Sequence, residues 1–391
     1  MGSKRPETQH HDVTSLVDGT LARALNVGAT DVHFEPVDDG LLIRFRIDGQ
    51  LADVELIPSR IAENVVSRLK VLASLLTYRV DIPQEGGFLW LGDSSSGAVD
   101  LRVATFPTIR GERAVVRVFR GTAQLQSLDS LGLGADQVGL IRDAVARPAG
   151  FIVVSGPAGS GKTTTLYAMI RELRDRFPSR SVITLEDPVE QRIDRITQIQ
   201  INPHGELGYE RCMRSLLRHD PQVILLGEVR DRQTASVAVE AVLTGHLILT
   251  TMHSGDPAET IVRFLEMGIP PYQLTSSMAL ICSQRLLRKK CRACKQAPTR
   301  GCQACLQTGY AGRTAIAQIV QVDDAVRRLI LSCSPASELR AELDRQGPDL
   351  IDRAAALAED NVTDKDEVAR VLGRRPPVRI RVVSGRRGAV E

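Results

Sequence analysis

Residues Gly156-Pro157-Ala158-Gly159-Ser160-Gly161-Lys162-Thr163 match G-x-x-x-x-G-K-[ST] in full. Gly156, Gly159 and Gly161 let backbone N–H groups turn inward around phosphate oxygens. A helix that starts directly after them adds the partial positive charge of its N-terminus. In this pattern the lysine bridges the β- and γ-phosphates and the hydroxyl that follows holds Mg2+. The expected ATP-binding residues are therefore Gly156, Pro157, Ala158, Gly159, Ser160, Gly161, Lys162, Thr163 and Thr164, with Thr163 also the magnesium ligand. Hydrolysis needs a further group beside the cradle. Val223-Ile-Leu-Leu-Gly-Glu228 ends an apolar run on a carboxylate, and Glu186-Asp187-Pro188-Val189-Glu190 ends another. Glu228 is expected to be the general base and Glu186 to orient water or Mg2+; Asp187 and Glu190 read equally well as solvated acids. His246 and His253 flank Leu247–Thr251, and His253 is expected to sense the γ-phosphate.

Four of the seven cysteines fall as Cys291-x2-Cys294-x7-Cys302-x2-Cys305. With no export signal at the start of the chain, this spacing reads as metal ligation rather than disulfides. Four thiolates at about 2.3 Å from Zn2+ close a tetrahedral site with no position for substrate, so its expected role is structural. Cys212, Cys282 and Cys333 read as ordinary buried residues.

The elements that position these groups follow from periodicity. Phe151–Val154, Val182–Leu185, Val223–Leu226 and Leu247–Leu249 are apolar without alternation and separated by helical segments, the pattern of buried parallel strands. Thr163–Phe177 is the helix after the phosphate loop. Both candidate carboxylates then lie at carboxyl ends of parallel strands, where ligands bind. Upstream, Val13–Gly28 and Ser59–Leu76 have helical spacing. Asp31–Glu35, Leu41–Ile47, Phe88–Leu91, Val99–Thr105 and Arg113–Phe119 read as strands, and Ile43, Phe45 and Ile47 alternate with Arg44 and Arg46. The predicted organisation is a flexible tail at 1–12, a smaller α+β domain at 13–120 and a linker at 121–135. A RecA-like α/β P-loop ATPase core follows at 136–372. It contains the tetracysteine zinc knuckle (285–310) and C-terminal helices (323–372), and a basic tail at 373–391 ends the chain. In that tail a solvated end is the expectation.

Composition excludes several classes. At 391 residues, 43% apolar and 25% charged, the chain has the profile of a soluble globular protein of two or three domains. No apolar run reaches the about 18 residues of a membrane span.

The phosphate loop, ITLEDPVE, LLRHDPQVILLGEVRD and LTGHLILTTMHSGD occur in that order. Together they resemble the secretion ATPase superfamily, the motors of type II secretion and type IV pilus assembly. ATDVHFEP, IRFRIDG, DIPQEGGF and DLRVATFPTIRGERAVVRVF are similar to the domain preceding that family's ATPase core. The cysteine pair and GYAGRTAIAQI resemble its zinc-bearing segment. The resemblance implies a cytoplasmic ATPase, peripheral to the inner membrane, that forms a homohexameric ring and drives an inner-membrane platform protein. It also implies that Arg102, Arg113 and Arg117 supply guanidinium groups to a nucleotide, with Arg44 and Arg46 weaker candidates. Permanently charged guanidinium suits that work because it binds phosphate oxygens in pairs. Alternation places Arg113 and Arg117 on one strand face. The alternative is a nucleic-acid translocating or DNA-uptake ATPase. Against a nucleic-acid partner stand an aromatic content of only 4%, which leaves few stacking platforms, and a net charge of only +3. A third reading is a scaffold that binds ATP and hardly hydrolyses it.

Overall fold

The computed structural model describes residues 13–91, 98–119, 127–201, 208–294, 301–302 and 305–373. The expected tails, Gly373 apart, and the linker as far as residue 126 lie outside the described residues. The chain divides into two units. One takes the residues up to Gln124 together with Cys291–Gly312, and the other takes Leu125–Lys290 and the chain from Arg313 onward.

In the first unit, alternating sequences build an antiparallel sheet with helices on one side. Its elements are α1 (Val13–Asn26), β1 (Asp31–Val37), β2 (Gly40–Ile47), β3 (Gln50–Pro58), α2 (Ser59–Leu72), β4 (Gln84–Leu91), β5 (Ala98–Thr108) and β6 (Gly111–Phe119). The strand order is β3-β2-β1-β6-β5-β4. Phe34, Ile43, Phe45, Leu101 and Val116 turn one face inward against Leu21 of α1 and Leu69 of α2. The opposite face carries the charged residues of the same strands, as period two requires. Lys70 of α2 has no exposed surface and donates to both carboxylate oxygens of Glu112 at 2.8 Å. That buried pair pins α2 to β6, the strand of Arg113 and Arg117. The helix expected to run to Leu76 stops at Leu72, and Ser74 takes a left-handed φ of 57°.

The second unit is doubly wound. It begins with α3 (Ala135–Ala146), β7 (Gly150–Ser155), α4 (Lys162–Arg176), β8 (Val182–Glu186), β9 (Thr197–Gln200) and α5 (Tyr209–Leu216). There follow β10 (Val223–Leu226), α6 (Arg232–Leu243), β11 (Leu247–Met252), α7 (Pro257–Glu266), α8 (Pro271–Ser277), β12 (Met278–Lys290) and β13 (Tyr310–Val320). The sheet order is β13-β12-β7-β11-β10-β8-β9, with β12 through β9 paired in parallel. Phe151, Ile224 and Ile248 pack into one core, while Ile152, Val223 and Leu249 pack into the other. Burial on both faces is why these strands show no alternation. Four short helices close the unit: α9 (Asp324–Leu331), α10 (Ala336–Leu343), α11 (Leu350–Glu359) and α12 (Lys365–Leu372). Asp323, Asp349 and Asp364 cap three of them by accepting backbone N–H groups.

The span 285–310 does not stay with the unit whose sequence encloses it. β12 carries the chain to Lys290 in the second unit, and Cys291–Gly312 packs with the first. There Leu306 lies against the core of the first unit, and the Gly312 N–H donates to Asp48 Oδ2 at 2.7 Å.

Candidate nucleotide site and metal centre

The phosphate loop joins β7 to α4, and its shape depends on the absence of side chains. Gly156 has φ of 150°, and a Cβ there would meet the Gln284 carbonyl and Ser160 Oγ, both at 2.5 Å. Gly161 has φ of 88° and closes onto the Gln284 amide, 2.8 Å from where its Cβ would lie. Lys162 is buried, and its amine donates to the Gly156 and Pro157 carbonyls at 2.9 and 3.0 Å. Burial lowers its pKa, Glu228 opposes that and Arg285 adds to it. Ser160 Oγ is buried with no hydrogen-bond partner. An inward-curled loop with a buried cation and an orphaned hydroxyl fits a phosphate group and its metal.

Lys162, Thr163, Glu186, Asp187, Glu190, Glu228 and His253 line one cavity of about 210 Å3 at the carboxyl edge of the sheet. Adjacent strand ends are stitched together there. Gly227 N–H donates to the Leu185 carbonyl at 2.8 Å, and Thr251 Oγ1 donates to the Gly227 carbonyl at 2.7 Å. Glu228 stands two residues past the end of β10, forms an ion pair with Arg230, and lies 3.9 Å from His253 Nε2. Burial and Lys162 lower the pKa of His253, which Glu228 opposes. His253 thus stands beside the cradle, within reach of Glu228.

Glu186 is placed differently. It is 3% exposed and accepts from Tyr167 Oη, from Thr184 Oγ1 at 2.5 Å and from Gln198 Nε2 at 3.2 Å. Burial and this carboxylate push the Tyr167 phenol well above its ordinary pKa. His246 lies away from the cavity, with Nδ1 donating to the Ala241 carbonyl at 2.8 Å at the end of α6. It is a structural histidine.

Two residues that sequence reasoning passed over complete the loop. Gln284 is 1% exposed; its Nε2 donates to the Ser160 carbonyl at 2.7 Å and its Oε1 accepts from Thr165 Oγ1 at 2.7 Å. Arg285 donates to the Gln284 carbonyl at 2.9 Å and the Gly255 carbonyl at 2.7 Å, tying the turn after His253 to the loop. Their signal lay in β12, a strand whose basic second half resembles a surface segment.

Arg102, Arg113 and Arg117 all lie in the first unit. Arg102 of β5 is directly opposite Arg117 of β6, so both share the outer face with Arg113. Arg44 and Arg46 of β2 occupy the same face across β1.

The thiols of Cys291, Cys294, Cys302 and Cys305 lie within 4.8 Å of one another. Sulfurs of a tetrahedral site with bonds of about 2.3 Å stand about 3.8 Å apart. The closest pairs measure 3.4 Å (Cys294–Cys305), 3.8 Å (Cys302–Cys305) and 4.0 Å (Cys291–Cys302). Burial acts to raise the Cys305 pKa, but N–H groups of Cys302 and Gly309, each 3.2 Å from its sulfur, help bring it down to about 6. The cluster fits a metal held by four thiolates. Of the remaining cysteines, Cys212 and Cys282 are buried as expected, whereas Cys333 is exposed. It sits in the turn after α9 with φ of 52°, which carries its side chain out of the helical packing.

The fold and the cradle define a P-loop protein with a RecA-like core and a preceding α+β unit. The chain belongs to the family described as "Type II/IV secretion system protein", whose model matches residues 6–370. It is 39% identical over 383 residues to "Type II secretion system protein E" of Pseudomonas aeruginosa, covering 92% of this chain and 75% of that one. It is 34% identical to "Type IV pilus assembly ATPase PilB" of the same species, with 93% and 68% covered. Among solved structures, the Yersinia pseudotuberculosis ATPase DotB matches with a TM-score of 0.73 at 22% identity, covering 95% and 96% of the two chains. That likeness is one of fold.

Proposed function

We propose that this chain is the ATP-hydrolysing motor subunit of a type II secretion or type IV pilus assembly system. Relatives named for those systems, alignable over most of the chain, support this reading. The observation that carries it is the convergence of Lys162, Thr163, Glu228 and His253 on one cavity at the carboxyl edge of the parallel sheet. Lys162 and the loop N–H groups bind the phosphates, Thr163 holds Mg2+ and Glu228 takes the proton from the attacking water. Held there, Mg2+ would supply electrostatic stabilisation of the charge that develops in phosphoryl transfer. His253 reports on the γ-phosphate, Glu186 orders the wall of the cavity through Tyr167 and Gln198, and Arg102, Arg113 and Arg117 complete the charge balance. ATP-driven closure and reopening of the two units is the mechanical stroke. It acts in a homohexameric ring on a platform protein at the cytoplasmic face of the inner membrane. Among the described residues no helix is long and apolar enough to cross a membrane, and in this reading association with the membrane is made through partners.

The test is Lys162→Ala. Losing a charged donor is worth about 1.5–3 kcal/mol, so ATP affinity should fall roughly 10–10²-fold or more in a direct binding titration. Near-normal affinity overturns the phosphate-loop assignment.

The metal of the four thiolates is zinc in this reading, and its role is structural. Freshly purified protein should contain one zinc per chain. Cys291→Ser combined with Cys294→Ser should remove the metal and expose Cys291–Gly312 to protease while leaving ATP affinity unchanged. Metal analysis well below one zinc per chain refutes the assignment.

A further inference from the structure

The outer face of β1 carries Asp31, His33 and Glu35 at alternating positions, between β2 and β6. Each meets arginine from a neighbouring strand. Asp31 lies opposite both Arg46 and Arg117 in the strand register, and its carboxylate is 2.9 Å from Arg117 Nε and 3.5 Å from Arg46 Nε. Glu35 is 3.0 Å from Arg113 Nη2 and 3.3 Å from Arg44 Nη1. His33 Nδ1 is 3.0 Å from the same Arg113 Nη2. Because a guanidinium only donates, Nδ1 accepts and the ring proton resides on Nε2, which is buried without a partner.

Depth separates the two sets. The side chains of Asp31 and His33 are each 8% exposed, whereas those of Arg113 and Arg117 are 41% and 66% exposed. The acids and the imidazole form a floor, and the guanidinium groups stand above it. The Arg117 bond to Asp31 engages Nε, which leaves its terminal nitrogens uncommitted by that contact. A free arginine side chain samples many rotamers, and a fixed carboxylate at its base removes much of that freedom before any phosphate arrives. The same face also carries Asp53, which accepts from Arg44 Nε at 2.7 Å, and Glu85 and Asp100, which line one cavity with Arg102 and Arg117. Arg102 faces Arg117 directly across the strands, a like-charge juxtaposition that is ordinarily destabilising.

We propose that Asp31, His33 and Glu35 are positioning residues that aim Arg117 and Arg113 at the nucleotide phosphates. This rests on the reading above that those arginines serve hydrolysis. The carboxylates do not touch substrate; they fix where the guanidinium groups stand.

The experiment is a double-mutant cycle on the full-length assembled protein. Asp31→Asn keeps the shape of the side chain and removes its charge. It should lower kcat by about 10–10²-fold, the cost of misplacing a group by about 1 Å, with a smaller change in KM. In an Arg117→Ala background the same substitution should cost nothing further, because there is no guanidinium left to position. Asp31→Glu should recover part of the loss. A parallel cycle pairs Glu35→Gln with Arg113→Ala, which keeps the proposal testable if Asp31→Asn fails to fold. Losses that multiply in both cycles mean that the acids only support the fold, and they overturn the proposal. If Arg117→Ala and Arg113→Ala themselves leave turnover intact, the reading of the arginines fails and the proposal falls with it. The single variants distinguish the two failures.

Discussion

Glu228→Gln should leave ATP bound and slow its hydrolysis by about 10²–10⁴-fold, the range for a lost general base. The side chain is 17% exposed and lines the cavity that holds Lys162 and Thr163. Its charge acts on Lys162 and His253 alike. Its ion pair with Arg230 reaches a side chain that is 75% exposed, so solvent screens that partner and a guanidinium on the rim holds the carboxylate only loosely. Glu186 contrasts with it on each count. Three donors already occupy three of the about four lone-pair sites on its oxygens, and their hydroxyl and amide groups come from α4, β8 and β9. A carboxylate so committed has little capacity left to accept a proton from water. Glu186→Gln would set an amide N–H2 against those donors and disturb the wall of the cavity, so its expected signature is lower stability with a smaller loss of rate. Single-turnover hydrolysis and ATP-binding titrations on both variants separate the roles. If Glu186→Gln stalls turnover while Glu228→Gln hardly matters, the assignment is reversed.

The ATP cradle was legible because its chemistry is local in sequence. A run of glycines ending in Lys162-Thr163, between a buried strand and a helix, has few other physical uses, and the parallel strands around it announced themselves by lacking alternation. The four cysteines were legible for the same reason, since paired short spacings suffice to bring thiols together. What escaped notice depends on tertiary neighbours. Gln284 and Arg285 become parts of the phosphate loop only because β12 lies beside β7 in the sheet, more than a hundred residues away in sequence. β3 went unread because it is largely exposed and its apolar positions do not alternate cleanly, although Asp48-Gly49 before it is a recognised hairpin signal. The association of Cys291–Gly312 with the first unit could not be inferred from chain order, because the segment leaves one unit and rejoins it after crossing to the other. In the same way, Asp31, His33 and Glu35 look like an ordinary charged strand face until the register places arginine on both sides of them.

Turnover should collapse by about 10³–10⁵-fold in Arg117→Ala, the range for an arginine supplied to a phosphoryl-transfer site. The physical reason lies in the division of labour between the units. Arg102, Arg113 and Arg117 belong to the first, Lys162 and Glu228 to the second, and no arginine of that set lines the cavity of the P-loop. The cavity itself holds Lys162 and, paired with Glu228, Arg230, and in the proposed reading the arginines of the first unit add the remaining positive charge. If they come from a neighbouring subunit of the ring, each site needs an intact first unit from one chain and an intact second unit from another. An inactive Arg117→Ala protein mixed with an inactive Lys162→Ala protein should then recover part of the activity, because some interfaces pair a whole first unit with a whole phosphate loop. Specific activity of the unmodified protein should also rise with concentration as rings assemble. If instead the arginines serve their own chain, mixing restores nothing, although concentration dependence can persist through closure that only the ring permits. Constant specific activity from dilute to concentrated protein, with no recovery on mixing, would remove the shared site altogether and leave each chain to complete its own charge balance.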